Sequence, residues 1–285
     1  MSGQAADQPQ NPSGPPIGPI LGASVVTRSL DAVLPLYLAA GFQRCSAAPP
    51  WGRLAPVLDQ PCTGQAWLAG GSGRPWLQLV EIPSAIAVDR YRHTGWFSLE
   101  VGSSEVEALA GVLAGCTGFE ILAGPAPLEV SDDIVATQVI GPSGELYYFT
   151  QVKRPLPPFS LPRPQHRLDE LFIAVATTLD RNAALDFWQS LTEVRGLSLE
   201  TRIGVLNRGL GLDSAHRLPV GIVQLAGSTL IEIDQVPAIG PRPALSQGIA
   251  MISIAAENSA HVQGKDEEWL ELVAAPATPS PQPRS

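Results

Sequence analysis

Glu100 has the most chemical potential of any side chain in the sequence. It lies in the run Trp96-Phe97-Ser98-Leu99-Glu100-Val101. Phe97, Leu99 and Val101 alternate as an apolar row, so as a strand they pack on helices while Trp96, Ser98 and Glu100 share the opposite face. The same period across 76–82 sends Trp76, Gln78 and Val80 to that face, with Leu77 and Leu79 behind them. Tyr148 and Thr150 join from 146–152. Two indoles, a phenol, an amide, a hydroxyl and a carboxylate are the mixture expected of a small-molecule site. Among indole rings the charged form of Glu100 is disfavoured, which raises its pKa towards the range of a general base.

In that reading Glu100 abstracts or relays a proton, and Gln78 and Tyr148 orient or stabilise an enolate-like oxygen. Trp76, Trp96, Ser98 and Thr150 contact the substrate, and His93, three residues before Trp96, stands at the rim. The competing structural reading pairs Glu100 with Arg90 or Arg92 and gives Trp96 to the core. Asp132-Asp133, after Ser131, reads as a turn or cap. Gly209-Leu210-Gly211 lacks the helix signature of a nucleotide fingerprint, and the sequence contains neither a Gly-x-Ser-x-Gly elbow nor His-Glu-x-x-His.

The elements that must position these groups follow from composition and punctuation. The chain has 285 residues, 45% hydrophobic and only 16% charged, against roughly 25% charged in ordinary globular chains. A large buried core follows, and a mainly disordered chain is excluded. No stretch approaches the ~20 apolar residues of a bilayer span, and the polar Gly- and Pro-rich start does not read as a secretory signal. A net charge of −9, from 18 Lys+Arg and 27 Asp+Glu, argues against nucleic acid or an anionic membrane as partner. Cys45, Cys62 and Cys116 are odd in number and lack metal-type spacing, as expected of reduced thiols in a cytoplasmic protein.

Prolines crowd the two ends and the run Arg154-Pro-Leu-Pro-Pro-Phe-Ser-Leu-Pro-Arg-Pro164, which predicts extended tails at 1–19 and 275–285 and a stiff linker at 153–166. On either side the order of signals repeats. GASVVT at 22–27 is a strand, and Ser29 caps a helix to Ala40 that Pro35 should delay or kink. Strands follow near 65–68 and 76–82. Trp96–Val101, a helix with Val106, Leu109, Ala110 and Leu113 on one face, and three more strands make a second copy. A third starts at Leu171, with a helix from Arg181 to Leu191 capped by Asp180 and strands near 197–199, 203–206, 220–225 and 229–236. The fourth has strands at 249–255 and 269–273 and no helix of useful length. The expected class is α+β, with tandem βαβββ units in two modules, 20–152 and 167–274, the fourth unit truncated.

This order, with its local sequences, resembles the vicinal oxygen chelate superfamily of glyoxalase I, bleomycin-resistance proteins and extradiol dioxygenases. The unit ends Leu77-Gln-Leu-Val-Glu81, Tyr147-Tyr-Phe-Thr-Gln151, Ile231-Glu-Ile-Asp-Gln235 and Leu270-Glu-Leu-Val-Ala274 carry it. So do the turn Gly141-Pro-Ser-Gly144 and the helix Asp180-Arg-Asn-Ala-Ala-Leu-Asp-Phe-Trp188. The resemblance implies curved sheets, each enclosing a cleft, and in the family's metalloenzymes a metal held by His or Gln near first strands and Glu on terminal strands. Here those positions carry Gly22 or Ser24, Gln78, Trp96 and Tyr148 in the first module, and Ile173, Glu232, Met251 or Ser253, and Glu271 in the second. An indole does not coordinate and one amide does not retain a metal, so the first module is expected to hold none and no cofactor is assigned. Glu232 and Glu271 are either solvated or salt-bridged acids or a weak site for a hard ion. His93, His166, His216 and His261 lie outside the ligand positions.

Two functions are compatible with this reading. One is a metal-independent lyase or isomerase acting on a small apolar or aromatic metabolite; a metal-dependent enzyme of glyoxalase or dioxygenase type is its minor variant. The other is a protein of bleomycin-resistance type that binds and sequesters its ligand by stacking on Trp76 and Trp96. The truncated fourth unit leaves surface that a second copy of the chain, in a homodimer, would cover.

Overall fold

The structure is a computed structural model that describes residues 17–58, 60–237 and 239–274. The expected tails therefore lie mostly outside the described residues. Residues 17–19 do not form a tail: Ile17 is buried and its carbonyl accepts from Ala226 N at 3.1 Å.

The first unit runs β1 (Ile20–Thr27), α1 (Leu30–Ala39), β2 (Gln43–Arg44), β3 (Gly64–Ala69) and β4 (Pro75–Glu81). The second runs β5 (Gly95–Gly102), α2 (Val106–Ala114), β6 (Glu120–Leu128), β7 (Ser131–Ile140) and β8 (Leu146–Val152). The third comprises β9 (Leu171–Thr178), α3 (Arg181–Thr192), β10 (Leu197–Thr201), α4 (Gly204–Leu210), β11 (Leu218–Gln224) and β12 (Leu230–Gln235). Among the described residues the fourth has only β13 (Gly248–Ala256), β14 (Ala260–Gln263) and β15 (Trp269–Ala274).

Local signals account for most of these elements. α1 begins at Leu30 despite Pro35. Ser29 Oγ accepts from Ala32 N at 3.3 Å, and Glu81 Oε2 accepts from Leu30 N at 2.7 Å, so the first turn is held from both ends. Asp180 caps α3 through Ala183 N at 3.1 Å. The apolar run at 203–206, expected as a strand, opens the short helix α4 instead; its Val205 and Leu206 seal one face of a sheet.

The unit order is as expected, but the partnership between units is not. One sheet has the order β14-β15-β13-β1-β4-β3-β2 and joins units one and four; the other, β10-β11-β12-β9-β5-β8-β7-β6, joins units three and two. β1 pairs antiparallel with β13, and β5 with β9. The two sheet-forming bodies are therefore not 20–152 and 167–274. The Pro-rich segment 153–166 returns the chain to its own sheet, because β8 and β9 flank β5. The chain changes sheet instead along 82–94 and 236–247, and these two crossings run side by side through bridges at Ile86–Ser246 and His93–Gly240.

The helix-bearing faces of both sheets fuse into one core. Val25, Leu77, Leu79, Ile252 and Ile254 from the first meet Leu99, Val101, Tyr147, Phe149, Ile231 and Ile233 from the second, with Tyr37, Leu109, Leu113 and Trp188 of the helices. Each sheet's opposite face then carries its own smaller cluster, and a functional site has to lie there or between the sheets.

Candidate functional site

In the first sheet, much of that face is filled by the chain itself, and a cavity of about 190 Å³ remains beside Val26, Leu58, Ile82 and Trp269. Leu54 and Leu58, from the long connection between β2 and β3, pack on Val26, Val80, Ile82 and Met251. Deeper in, Ser24 Oγ donates to Gln78 Oε1 at 2.6 Å and Gln78 Nε2 to Gln65 at 3.2 Å. Glu271 accepts from Gly52 N at 2.5 Å, Arg53 N at 3.2 Å and Ser253 Oγ at 2.7 Å. Gln78 and Glu271 are thus engaged in holding a plug, and Gln78 is not in the same site as Glu100.

In the second sheet, the corresponding face keeps a cavity of about 90 Å³. Leu128, Val130, Ile134, Leu199 and Ile222 form apolar walls, and Phe159 and Leu161 of the Pro-rich segment close over it. Its polar groups are Glu100, Thr150, Thr201 and Glu232. Thr150 Oγ1 donates to Glu100 Oε1 at 2.6 Å, which fixes that carboxyl and leaves its other oxygen free. Glu100, only 7% exposed, is pushed up to about 8, first by burial and then by the charge of Glu232 on β12. Burial likewise raises Glu232 and its neighbour Asp234, and the charges of Glu232 and Glu100 raise Asp234 further. Tyr148 is also raised, by burial and then by these carboxylates, so its phenol stays a donor. It stands beside the cavity without lining it.

Among the described residues, no Arg or Lys forms an ion pair with Glu100, Glu232 or Asp234. Pairing with Arg90 or Arg92 is therefore not how Glu100 is accommodated. The direction of its pKa was foreseeable, but the cause is aliphatic burial and a second acid rather than indole rings.

Both tryptophans lie elsewhere, and for one reason. A register shift in β5 between Trp96 and Ser98 makes Phe97 an extra residue, and one between Leu68 and Ala69 of β3 does the same for Trp76 on β4. Each bulge resets the alternation. Phe97 therefore joins the cavity-side cluster, and Trp96 enters the main core with Nε1 donating to Trp269 O at 2.9 Å. Trp76 packs against Phe42 with ring centroids 5.7 Å apart. Ser98 is fully buried with an unpartnered hydroxyl and does not line the cavity. His93 lies on the crossing at 82–94, away from this cavity, with Nδ1–H donating to Pro241 O at 3.0 Å. Sequence reasoning missed Glu232 as the partner of Glu100, because it had placed the two in different modules.

The same topology tests the metal positions. The first sheet brings together Gly22, Gln78, Met251 or Ser253, and a Glu271 already satisfied by three donors. The second brings Tyr148, Ile173 and Glu232 to one face, with Trp96 turned into the main core. Neither set supplies imidazoles, and neither offers more than one free carboxylate, so the donor chemistry does not fit a divalent first-row metal. Glu232 and Glu271 lie in different sheets and do not form a joint site. Among the described residues there is no group of three or more His, Cys, Asp or Glu side chains able to hold a metal.

No protein-family model matches this chain, and no curated protein does. Solved structures do. Glyoxalase I from Zea mays superposes with a TM-score of 0.59 at 13% identity, covering 90% of this chain and 92% of that one. A putative dioxygenase from Bacillus subtilis gives 0.55 at 9% identity, covering 90% and 85%. At these identities the likeness concerns architecture alone. The chain has the vicinal oxygen chelate fold, of α+β class, with curved mixed sheets built from four units. No helix among the described residues is long and apolar enough to cross a membrane.

Proposed function

We propose that this chain is a metal-independent enzyme of lyase or isomerase type that moves a proton next to a carbonyl on a small, mainly apolar metabolite. The observation that carries this reading is Glu100, held by Thr150 and facing Glu232 in an apolar cavity, with a pKa near 8. A group poised close to neutral pH is present in both protonation states, which proton transfer requires. Glu100 is the catalytic residue, Thr150 positions it, and Glu232 is the second acid available to return a proton. Tyr148, kept neutral beside them, supports the pair. Gln78 has no part in this site.

The test is deuterium uptake in D2O, followed by NMR, across a panel of small apolar carbonyl compounds. Wild type is expected to label the carbon next to the carbonyl of at least one compound, and Glu100→Gln to bind that compound without labelling it. Saturable binding with no exchange by wild type would replace the enzyme with a sequestering protein. Turnover undiminished in Glu100→Gln would remove Glu100 from the chemistry.

A further inference from the structure

The two crossings between the sheets enclose a second pocket, of about 230 Å³, unrelated to the Glu100 cavity. Arg90 reaches it from the first crossing and Arg242 from the second, with Ser143, Thr94 and His93 on the walls and Val88, Phe97, Pro142 and Ile249 as apolar lining. Neither guanidinium has a carboxylate within ion-pair distance among the described residues. Arg90 donates through Nε and Nη2 to one carbonyl, Gly144 O, at 3.2 and 2.7 Å. Arg242 donates to Trp96 O at 3.2 Å and to Gln247 O.

Each arginine has five N–H groups, so the carbonyls fix both guanidinium planes and leave donors over. Burial, and after it the neighbouring charge of Arg90, draws the pKa of Arg242 down to about 10. Space is made for this pair: Gly248 has φ +97°, and a Cβ there would come within 2.9 Å of Arg242 Nη2. Ser143 Oγ is buried in the same wall without a partner. The one carboxyl bordering the pocket, Glu145, is turned to the interior, accepting from Tyr37 OH and from Ser143 N at 3.0 Å. A chain of net charge −9 gains nothing from two clustered cations as general anion attraction. Their use is local.

We infer that this pocket binds a small organic oxyanion, a carboxylate or phosphate monoester, clamped between Arg90 and Arg242 with its apolar part against Val88 and Ile249. Planar guanidinium groups suit both chemistries, each offering parallel N–H groups to two oxygens. Ser143 Oγ supplies a further hydrogen bond.

Titration calorimetry with benzoate, phenyl phosphate and inorganic phosphate tests this on the full chain, with sodium chloride as the ionic-strength control. Saturable binding of benzoate or phenyl phosphate is expected, weakened at least about tenfold in Arg90→Gln and in Arg242→Gln. The stronger of the two organic ligands identifies the headgroup. Glu100→Gln should leave this binding unchanged, which separates the pocket from the proton-transfer site. Arg90 is the more accessible of the pair, so Arg90→Gln stays informative if Arg242→Gln does not fold. No saturable binding of any anion up to about 10 mM, or unchanged affinity in Arg90→Gln, would overturn the inference.

Discussion

Gly52 N donates to Glu271 Oε2 at 2.5 Å across 219 residues of sequence, tying the β2–β3 connection to β15, the last strand among the described residues. The Glu271 carboxylate, at a position for which the resemblance implied a metal ligand, here holds a plug in the first cleft. Gly52 has φ +90°, and a Cβ on it would lie 2.5 Å from Gln78 Oε1. Gly52→Ala should therefore destabilise the protein by about 1–3 kcal/mol through backbone strain and the clash. Urea denaturation measures it, and a loss within about 0.5 kcal/mol would mean that the plug is not tightly seated. Glu271→Ala should cost at least as much, since it strands the Gly52, Arg53 and Ser253 donors together.

The buried acids set a pH dependence. Burial raises Glu100 to about 8 and Glu145 and Glu268 to about 7, each from an ordinary value near 4.5. Between those limits the folded chain holds more protons than the unfolded one, so stability falls as pH rises. Their contribution is full below about pH 4.5 and gone above about pH 8. One pKa unit is worth about 1.4 kcal/mol, enough to shift Tm by about 2–4 °C in a chain of this size. Thermal melts should show Tm falling from pH 5.5 to pH 8.5, and a flat or rising Tm would contradict the burial of these groups.

Glu100→Gln separates stability from function. The amide keeps an oxygen to accept from Thr150 but cannot ionise in the apolar cavity. At pH 9, where wild type must ionise Glu100, the variant should be the more stable by about 1 kcal/mol or more; at pH 5 the two should melt together. A variant less stable than wild type at pH 9 would mean that the ionised carboxylate is well solvated.

How far the sequence foretold this structure depends on the range of the interaction concerned. The β-α-β-β-β order was legible because it rests on local chemistry: the Ser29 and Asp180 caps, the Gly141–Gly144 turn, and apolar runs of strand length. Which unit lies beside which was not. Nothing local in β1 prefers β13 over β5, and that choice decides that Glu100 meets Glu232 and never Gln78. The faces of Trp76 and Trp96 were misplaced by one residue each, since a bulge leaves the local pattern intact while inverting all that precedes it. α4 was lost because four apolar residues in a row fit either a strand or a short buried helix. The raised pKa of Glu100 survived these errors because its largest cause is burial, which its apolar neighbours Leu99 and Val101 already imply.

Tyr37 explains why Glu145 tolerates burial. Its hydroxyl donates to Glu145 Oε1 and lies 3.5 Å from Tyr147 OH, deep in the main core. Tyr37→Phe removes that side-chain donor, while Ser143 N still donates to the carboxyl. Stability should drop by about 1–3 kcal/mol, more at pH 8 than at pH 5.5, because the ionised form depends more on that donor. Denaturation at both pH values checks the difference, and equal losses would mean that Glu145 is neutral throughout.

Phe159 ties the Pro-rich segment to the function of the second cleft. A free spacer would leave this ring in water; instead it packs with Leu161 against the cluster of Phe172, Ile173 and Leu230 and walls the Glu100 cavity. The segment is fixed on both sides of it, since Ser160 N donates to Gln224 Oε1 at 2.9 Å and Phe159 N to Leu156 O at 2.9 Å. Phe159→Ala should therefore enlarge the cavity without releasing the segment. The ring is half-buried, so the cost should be about 1–2 kcal/mol, below the 3–5 typical of a fully buried phenylalanine. Two further readouts follow from the opened wall. An environment-sensitive apolar dye should bind the variant more strongly than wild type, and the pKa of Glu100 should fall towards 4.5 as water reaches it, shifting the pH-dependence of stability with it. A variant with unchanged dye binding and an unchanged pH profile would show that Phe159 does not close the cavity in solution.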